Sequence, residues 1–169
     1  MLETVQKAQR GDRAAMTRIV QDHYGRVFRF CARRVGEELG QDATQETFVT
    51  MQKTLSRFRA ESRFETWLLG IAHHTCQGLA RQKRREPMRL EDWYNPAATE
   101  QSNVIERESL RQALARLSAA HREVVVMHEL DGLRYAEIAE IIGVPEGTVK
   151  SRLHHAFLQM RQELCGGPK

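Results

Sequence analysis

The sequence predicts an all-α protein made of two small helical domains joined by a flexible linker, and three observations carry that expectation. Apolar residues return every three or four positions through most of the chain, the spacing of one face of a helix. Residues 86–104, EPMRLEDWYNPAATEQSNV, interrupt that rhythm with two prolines, no period and an acidic bias, the composition of a linker. Residues 135–157, YAEIAEIIGVPEGTVKSRLHHAF, hold the small, glycine and branched apolar residues needed where two helices cross through a tight turn. The expected division is residues 1–86, a linker at 87–104, and residues 105–169. Either side is long enough to bury a core, since helical units of roughly 60 to 80 residues already do so.

In the first domain Ile19, Val20, Tyr24, Val27, Cys31 and Val35 share one face of a long helix. Gly36 and Gly40 bracket a break. The next helix turns Ala43, Thr47, Phe48, Met51 and Leu55 inward and leaves Asp42, Gln45 and Glu46 outside. SRFRAES, at 56–62, reads as an arginine-bearing turn, and Ser62 followed three residues later by Glu65 reads as a capping box that opens a third helix. Its expected buried stripe is Phe64, Trp67, Leu68, Ile71, Thr75 and Leu79. Trp67, His74 and Arg81 line up along one flank, with Arg63, Gly70, His73, Gln77 and Arg84 on the more exposed side. Pro87 stops the helix near Glu86.

The second domain restarts with a helix at about 105–117 carrying Leu110, Leu114 and Leu117. Ser118 caps the next helix, in which Val124, Val125, Met127, His128 and Leu130 run to a stop at Asp131 and Gly132. In the helix-turn-helix that follows, Ala139, Gly143 and Val149 stand four and then six residues apart, with Ile138, Ile142 and Val144 completing the core. Pro145 suits the start of the second helix. Gly147 costs about 1 kcal/mol relative to alanine inside a helix, so its missing side chain is expected to serve close packing or the close approach of a backbone. Glu146, Thr148, Lys150, Ser151, Arg152, His154 and His155 form the exposed polar set. A helix so equipped can meet base edges and phosphates in a major groove, although such units also serve protein contacts.

Composition excludes several classes. A hydrophobic share of 41% with 28% charged residues is that of a globular protein, and no apolar run approaches the length of a membrane span. MLETVQKAQRGD is polar from its third residue, unlike a secretory signal, and the three scattered cysteines Cys31, Cys76 and Cys165 read as reduced cytoplasmic thiols. Net charge is +4, but residues 56–85 hold seven basic side chains against two acidic, and residues 86–110 hold two against six. The basic segment is either a nucleic-acid surface or solvated charge. No serine, cysteine or carboxylate stands with the histidines in a catalytic order, so no enzyme is expected. IAHHTC, at 71–76, suggests a metal, yet neighbouring helix residues point about 100° apart. Neither a metal nor a cofactor is therefore expected at His73, His74 and Cys76.

The stretch LDGLRYAEIAEIIGVPEGTVKSRLHHA resembles the promoter-reading C-terminal domain of extracytoplasmic-function (ECF) sigma factors, small alternative members of the sigma-70 family. DATQETF at 42–48, then SRFRAESRFETWLLGIA at 56–72 and a basic helix end, resembles that family's second domain. The two matches span nearly the whole chain in the family's order. The resemblance implies a dissociable subunit that binds core RNA polymerase, recognises two elements of promoter DNA and stabilises strand opening in a bacterial cytoplasm. It also implies an anti-sigma factor wedged between the domains, able to hold the chain at a membrane without membrane insertion.

Position by position, the resemblance implies that Asp42, Gln45, Glu46 and Phe48 meet a coiled coil of the polymerase's largest subunit, with Phe48 alternatively a core residue. Arg57, Phe58 and Arg59 lie on the loop that captures a flipped base of the minus-ten element. His73, His74, Gln77, Arg81 and Arg84 lie on the helix that reads and melts it, while Trp67 either stacks on a base or fills the core. Thr148, Lys150, Ser151, Arg152, His154 and His155 match positions that address the minus-thirty-five element. Arg122 and Arg134 are phosphate clamps or plain surface. The chain departs from the family pattern at Ala43, Arg134, His74 and His155, where a larger aliphatic residue, serine, asparagine and arginine are more usual. The main rival is a conventional repressor or activator with a dimerising or sensing N-terminal half, but that half carries no βα alternation of a phospho-receiver and no ligand-pocket signature.

Overall fold

The computed structural model describes residues 1–82 and 104–165, the second span with side chains from Glu108 onward. The chain divides into two units, Met1–Trp93 and Tyr94–Lys169. Helices and tight turns account for all regular structure among the described residues, and no helix there is long and apolar enough to cross a membrane. Residues 87–103 of the expected linker and the helix stop at Glu86 lie outside the described residues, as does Arg84, while the linker's last expected residue, Val104, already opens the first helix of the second unit.

The first unit opens with a helix that periodicity did not single out, α1 (Leu2–Gln9), which buries Val5 and Ala8 against the helix that follows. Gly11, at φ 91°, turns the chain, and Asp12 caps α2 (Arg13–Thr54) by accepting from Ala14 N and Ala15 N at 2.9 and 3.1 Å. As expected, the chain breaks at Gly36, which takes φ 81° and ψ 165° and separates α2 into two arms. Gly40 does not break the helix. A Cβ there would stand 2.8 Å from Ala32 Cα and 3.0 Å from Ala32 N, so glycine is what lets the second arm cross against the first.

The residues expected to face inward from the second arm do so: Ala43, Thr47, Phe48, Met51 and Leu55 are all buried. On the first arm Ile19, Val27, Cys31 and Val35 are buried, but Tyr24 is 43% exposed. Two polar side chains that periodicity left out are buried beside them, each satisfied by a carbonyl one turn back. His23 donates from Nδ1 to Ile19 O at 2.9 Å, and Arg34 donates from Nη1 to Phe30 O at 2.8 Å.

A short 3-10 turn (Leu55–Arg57) leads through a loop into α3 (Phe64–Gln82), which packs on α2. Helix α3 begins one residue later than the expected box places it. Arg63 O takes the first helical hydrogen bond from Trp67 N, and Glu65 turns to Arg63 and Arg26 at 3.2 and 3.7 Å. The buried face is also rotated from the expected stripe. It consists of Phe64, Thr66, Leu68, Leu69, Ala72, His73 and Cys76, leaving Trp67, Ile71, Thr75 and Leu79 half-buried. Apolar residues run more than halfway round this helix, and the helix settles with Leu69, Ala72 and Cys76 inside.

The second unit holds α4 (Val104–Arg116), α5 (Ala119–Val125), a π turn (Val126–Leu130), α6 (Tyr135–Ile142) and α7 (Glu146–Cys165). Ser118 caps α5 as expected, its Oγ accepting from His121 N at 3.2 Å, and Val124, Val125, Val126 and Met127 are all buried. Helix α7 places Val149, Leu153, Ala156 and Met160 on one stripe and packs it against α4, α5 and α6.

Candidate nucleic-acid interface

The loop between α2 and α3 is built around Phe58. Its ring is 8% exposed and lies against Phe64 at 5.5 Å edge-on and Trp67 at 5.1 Å, so Phe58 roots the loop in the core. Arg57 and Arg59, on either side, are exposed. Ala60 follows in the left-handed region at φ 57°, which costs roughly 1 kcal/mol for a residue with a Cβ. The chain therefore holds this loop in a tight, specified path. Gln9, from α1, holds it from behind: its amide donates to Leu55 O and to Phe58 O, both at 2.9 Å.

Along α3 the residues Trp67, Gly70, His74, Gln77 and Arg81 recur at three and four positions and form the outward flank, half-buried at its Trp67 and Gly70 end and exposed from His74 onward. His73, expected on this side, is instead only 6% exposed. Gln77 donates its amide to His73 Nε2 at 2.9 Å, so His73 supports the flank from below. Cys76 is buried too and hydrogen-bonds with Cys31, an interaction that leads in holding the Cys31 thiol below its ordinary pKa, against the opposing effect of burial. Among the described residues no cluster of three or more histidine, cysteine or acidic side chains is placed to hold a metal ion. Trp67 packs on Phe58 and Phe64 at 5.1 and 5.7 Å, one side in the core and the other toward solvent.

On the second arm of α2, Asp42, Gln45 and Glu46 are exposed as expected, while Phe48 is buried and stacks on Tyr24 at 6.2 Å. The exposed face continues instead into Val49, 47% exposed, one turn beyond Gln45 and Glu46. An apolar residue at the end of a polar stripe was the signal for it.

In the second unit the turn of the helix-turn-helix forms as its spacing requires. Gly143 closes α6 at φ 70°, its N–H donating to Ala139 O at 2.9 Å, and Pro145 O accepts from Thr148 N at 2.9 Å to start α7. Ile138 and Val149 are fully buried. Opposite them Lys150, Ser151, His154 and His155 are exposed, and Thr148 and Arg152 half-buried. Glu146 holds Lys150 at 2.8 Å, which raises the lysine pKa first by hydrogen bonding and then by charge, in a solvated pair weak enough to yield to a phosphate. His155 stacks on His121 at 6.4 Å. Nothing lies within 4 Å of a Cβ built at Gly147, so close packing inside the chain is not its purpose.

The two arginines left open by the sequence part company. Arg122 donates to Leu114 O at 2.9 Å, Ala115 O at 2.7 Å and Leu117 O at 3.0 Å, capping the C-terminal end of α4. It is therefore a structural cap, and burial pushes its pKa down without discharging it. Arg134 remains exposed and reaches Glu137 at 3.2 Å, while Glu137 Oε2 accepts from Arg134 N at 2.9 Å. That carboxylate caps α6 where the usual serine is absent.

A helix-turn-helix with a polar outward face, in a chain whose other unit carries a tethered arginine loop beside a polar helix flank, defines a DNA-reading transcription protein. The family descriptions agree: Sigma-70 region 2 matches residues 19–86 and Sigma-70, region 4 matches residues 107–160. The chain is 34% identical over 167 residues to the ECF RNA polymerase sigma-E factor of Escherichia coli K12, covering 90% of this chain and 87% of that protein. It is 30% identical over 156 residues to RNA polymerase sigma factor YlaC of Bacillus subtilis, covering 86% and 90%. Its fold is similar to that of CnrH in complex with the cytosolic domain of CnrY, with a TM-score of 0.70, 25% identity, and 98% and 97% of the two chains covered. The chain belongs to the sigma-70 family, in its extracytoplasmic-function group, and acts as a sigma factor that directs RNA polymerase to promoters.

Proposed function

We propose that the two units divide promoter reading between them, with residues 1–86 as the polymerase-binding and minus-ten domain, 87–104 as the linker and 105–169 as the minus-thirty-five domain. The observation that carries the first assignment is the fixed loop at 55–63, which presents Arg57 and Arg59 next to the flank Trp67, His74, Gln77 and Arg81. Holding an unstacked base needs a stacking face and cations for the strand's phosphates, and the half-exposed Trp67 with the exposed Arg57, Arg59 and Arg81 supplies both. His73 serves it indirectly through Gln77, and Phe58 through the rooting of the loop. Arg84 is assigned to the same surface from the resemblance alone.

Thr148, Lys150, Ser151, Arg152, His154 and His155 read the minus-thirty-five duplex, with Arg134 on a flanking phosphate. Asp42, Gln45, Glu46 and Val49 face the polymerase, and Phe48 shapes that face from beneath. The chain works as a binding subunit without catalysis of its own, in the cytoplasm. An anti-sigma factor controls it; the sigma factor RpoE of Bartonella quintana, whose fold is similar, has been solved in complex with the anti-sigma factor NepR, which supports a partner of this kind.

In vitro transcription with core polymerase over a randomised promoter library tests the reading. Enrichment of two separated elements is expected only when polymerase is present. Tight duplex binding by the chain alone, with no effect on polymerase, would replace it with the repressor reading. In the same assay His74→Asn is expected to shift preference at one minus-ten position, and an unchanged preference would make His74 an ordinary surface residue. Gly147→Ala is expected to stabilise α7 by up to about 1 kcal/mol, because nothing in the chain opposes a Cβ there, while weakening minus-thirty-five binding roughly tenfold. Unchanged binding in a gel-shift series would mean that no DNA backbone approaches this glycine.

A further inference from the structure

We propose that Gln9 is a positioning residue for promoter melting, its carboxamide setting the direction in which Arg57 and Arg59 face the DNA strand. The inference rests on the minus-ten reading above. A glutamine amide has two N–H groups, and here they go to Leu55 O, at the first residue of the 3-10 turn, and Phe58 O, just past its last, both 2.9 Å away. Leu55 O also accepts from Phe58 N at 3.0 Å, so the amide braces a turn already closed on itself.

The Phe58 carbonyl belongs to the peptide joining Phe58 to Arg59. With the Phe58 ring buried against Phe64 and Trp67 and its carbonyl held by Gln9, that peptide plane has little freedom to rotate. Arg57 and Arg59 leave the backbone immediately before and after Phe58, so their directions follow from it. Ala60 then takes its left-handed conformation at φ 57°, a path that a loop free to relax would abandon. Gln9 is itself well placed to act as a brace. It is the last residue of α1, whose Val5 and Ala8 are buried, and the capped start of α2 follows within four residues.

The test is promoter-library transcription with core polymerase and the full chain carrying Gln9→Glu, Gln9→Ala or Gln9→Lys. Glutamate matches glutamine in size but offers no N–H and sets a carboxylate against two carbonyl oxygens; lysine restores N–H donors. Gln9→Glu and Gln9→Ala are expected to flatten preference at one minus-ten position by roughly three- to tenfold, with minus-thirty-five preference and polymerase binding unchanged and with recovery in Gln9→Lys. A uniform loss across all promoters, or no change, would overturn the positioning role. Arg57→Ala and Arg59→Ala run alongside: if they too leave minus-ten preference untouched, the minus-ten reading itself falls. If they alter it and the Gln9 variants do not, only the role of Gln9 falls.

Discussion

Replacing Gly40 by alanine is expected to destabilise the first unit by about 2–3 kcal/mol, the upper part of the range for overpacking. An alanine would normally strengthen a helix interior by about 1 kcal/mol, so the expected sign is opposite to helix propensity. The reason is the 2.8 Å separation between a Cβ at this position and Ala32 Cα. That obstacle is backbone, and no side-chain rotation removes it; the arms of α2 must move apart. Asp42, Gln45 and Glu46 begin two residues later, so polymerase affinity should fall with stability. Urea unfolding followed by circular dichroism reads the first effect and pull-down with core polymerase the second. A variant as stable as the parent would mean that the two arms separate without cost.

Replacing Arg122 by methionine is expected to cost the second unit about 2–4 kcal/mol, since it withdraws a charged donor from three carbonyls at the end of α4. Methionine keeps much of the stem's apolar contact and removes only the donors. Lysine should recover part of the loss, because an ammonium cannot span carbonyls as a planar guanidinium does. The outcome separates the cap from the phosphate clamp. A clamp would leave thermal unfolding unchanged and reduce the salt dependence of DNA binding by about one unit of slope. The cap predicts early unfolding with an unchanged slope in the folded protein.

The candidate sites were legible in unequal measure. The exposed set on α7 follows from spacing, because Gly143, Val149 and their neighbours interact within a turn or two of one another. On α3 the helix was readable but its buried centre was not. Trp67 and Ile71 are as apolar as Leu69 and Ala72, and the choice among them is made by α2 and by the Phe58 ring arriving from the loop. His73 looked like a reading residue because polar side chains favour solvent. It is buried with the rest of the inner face of α3, where Gln77, one turn on, meets its Nε2. Val49 is illegible for the opposite reason: an isolated valine has the character of core, and only the outward direction of its neighbours places it on the surface.

By itself the sequence determined most of the helices, the cap at Ser118, the break at Gly36 and the turn at Gly143. Each depends on groups within a few residues, where backbone geometry leaves few alternatives. Tertiary structure decided what those elements do to one another: Gln9 bracing a loop 46 and 49 residues away, Arg122 closing a helix that ended before its own began, and Gly40 admitting Ala32. Such contacts leave no period in the sequence, because their geometry exists only after the helices have packed.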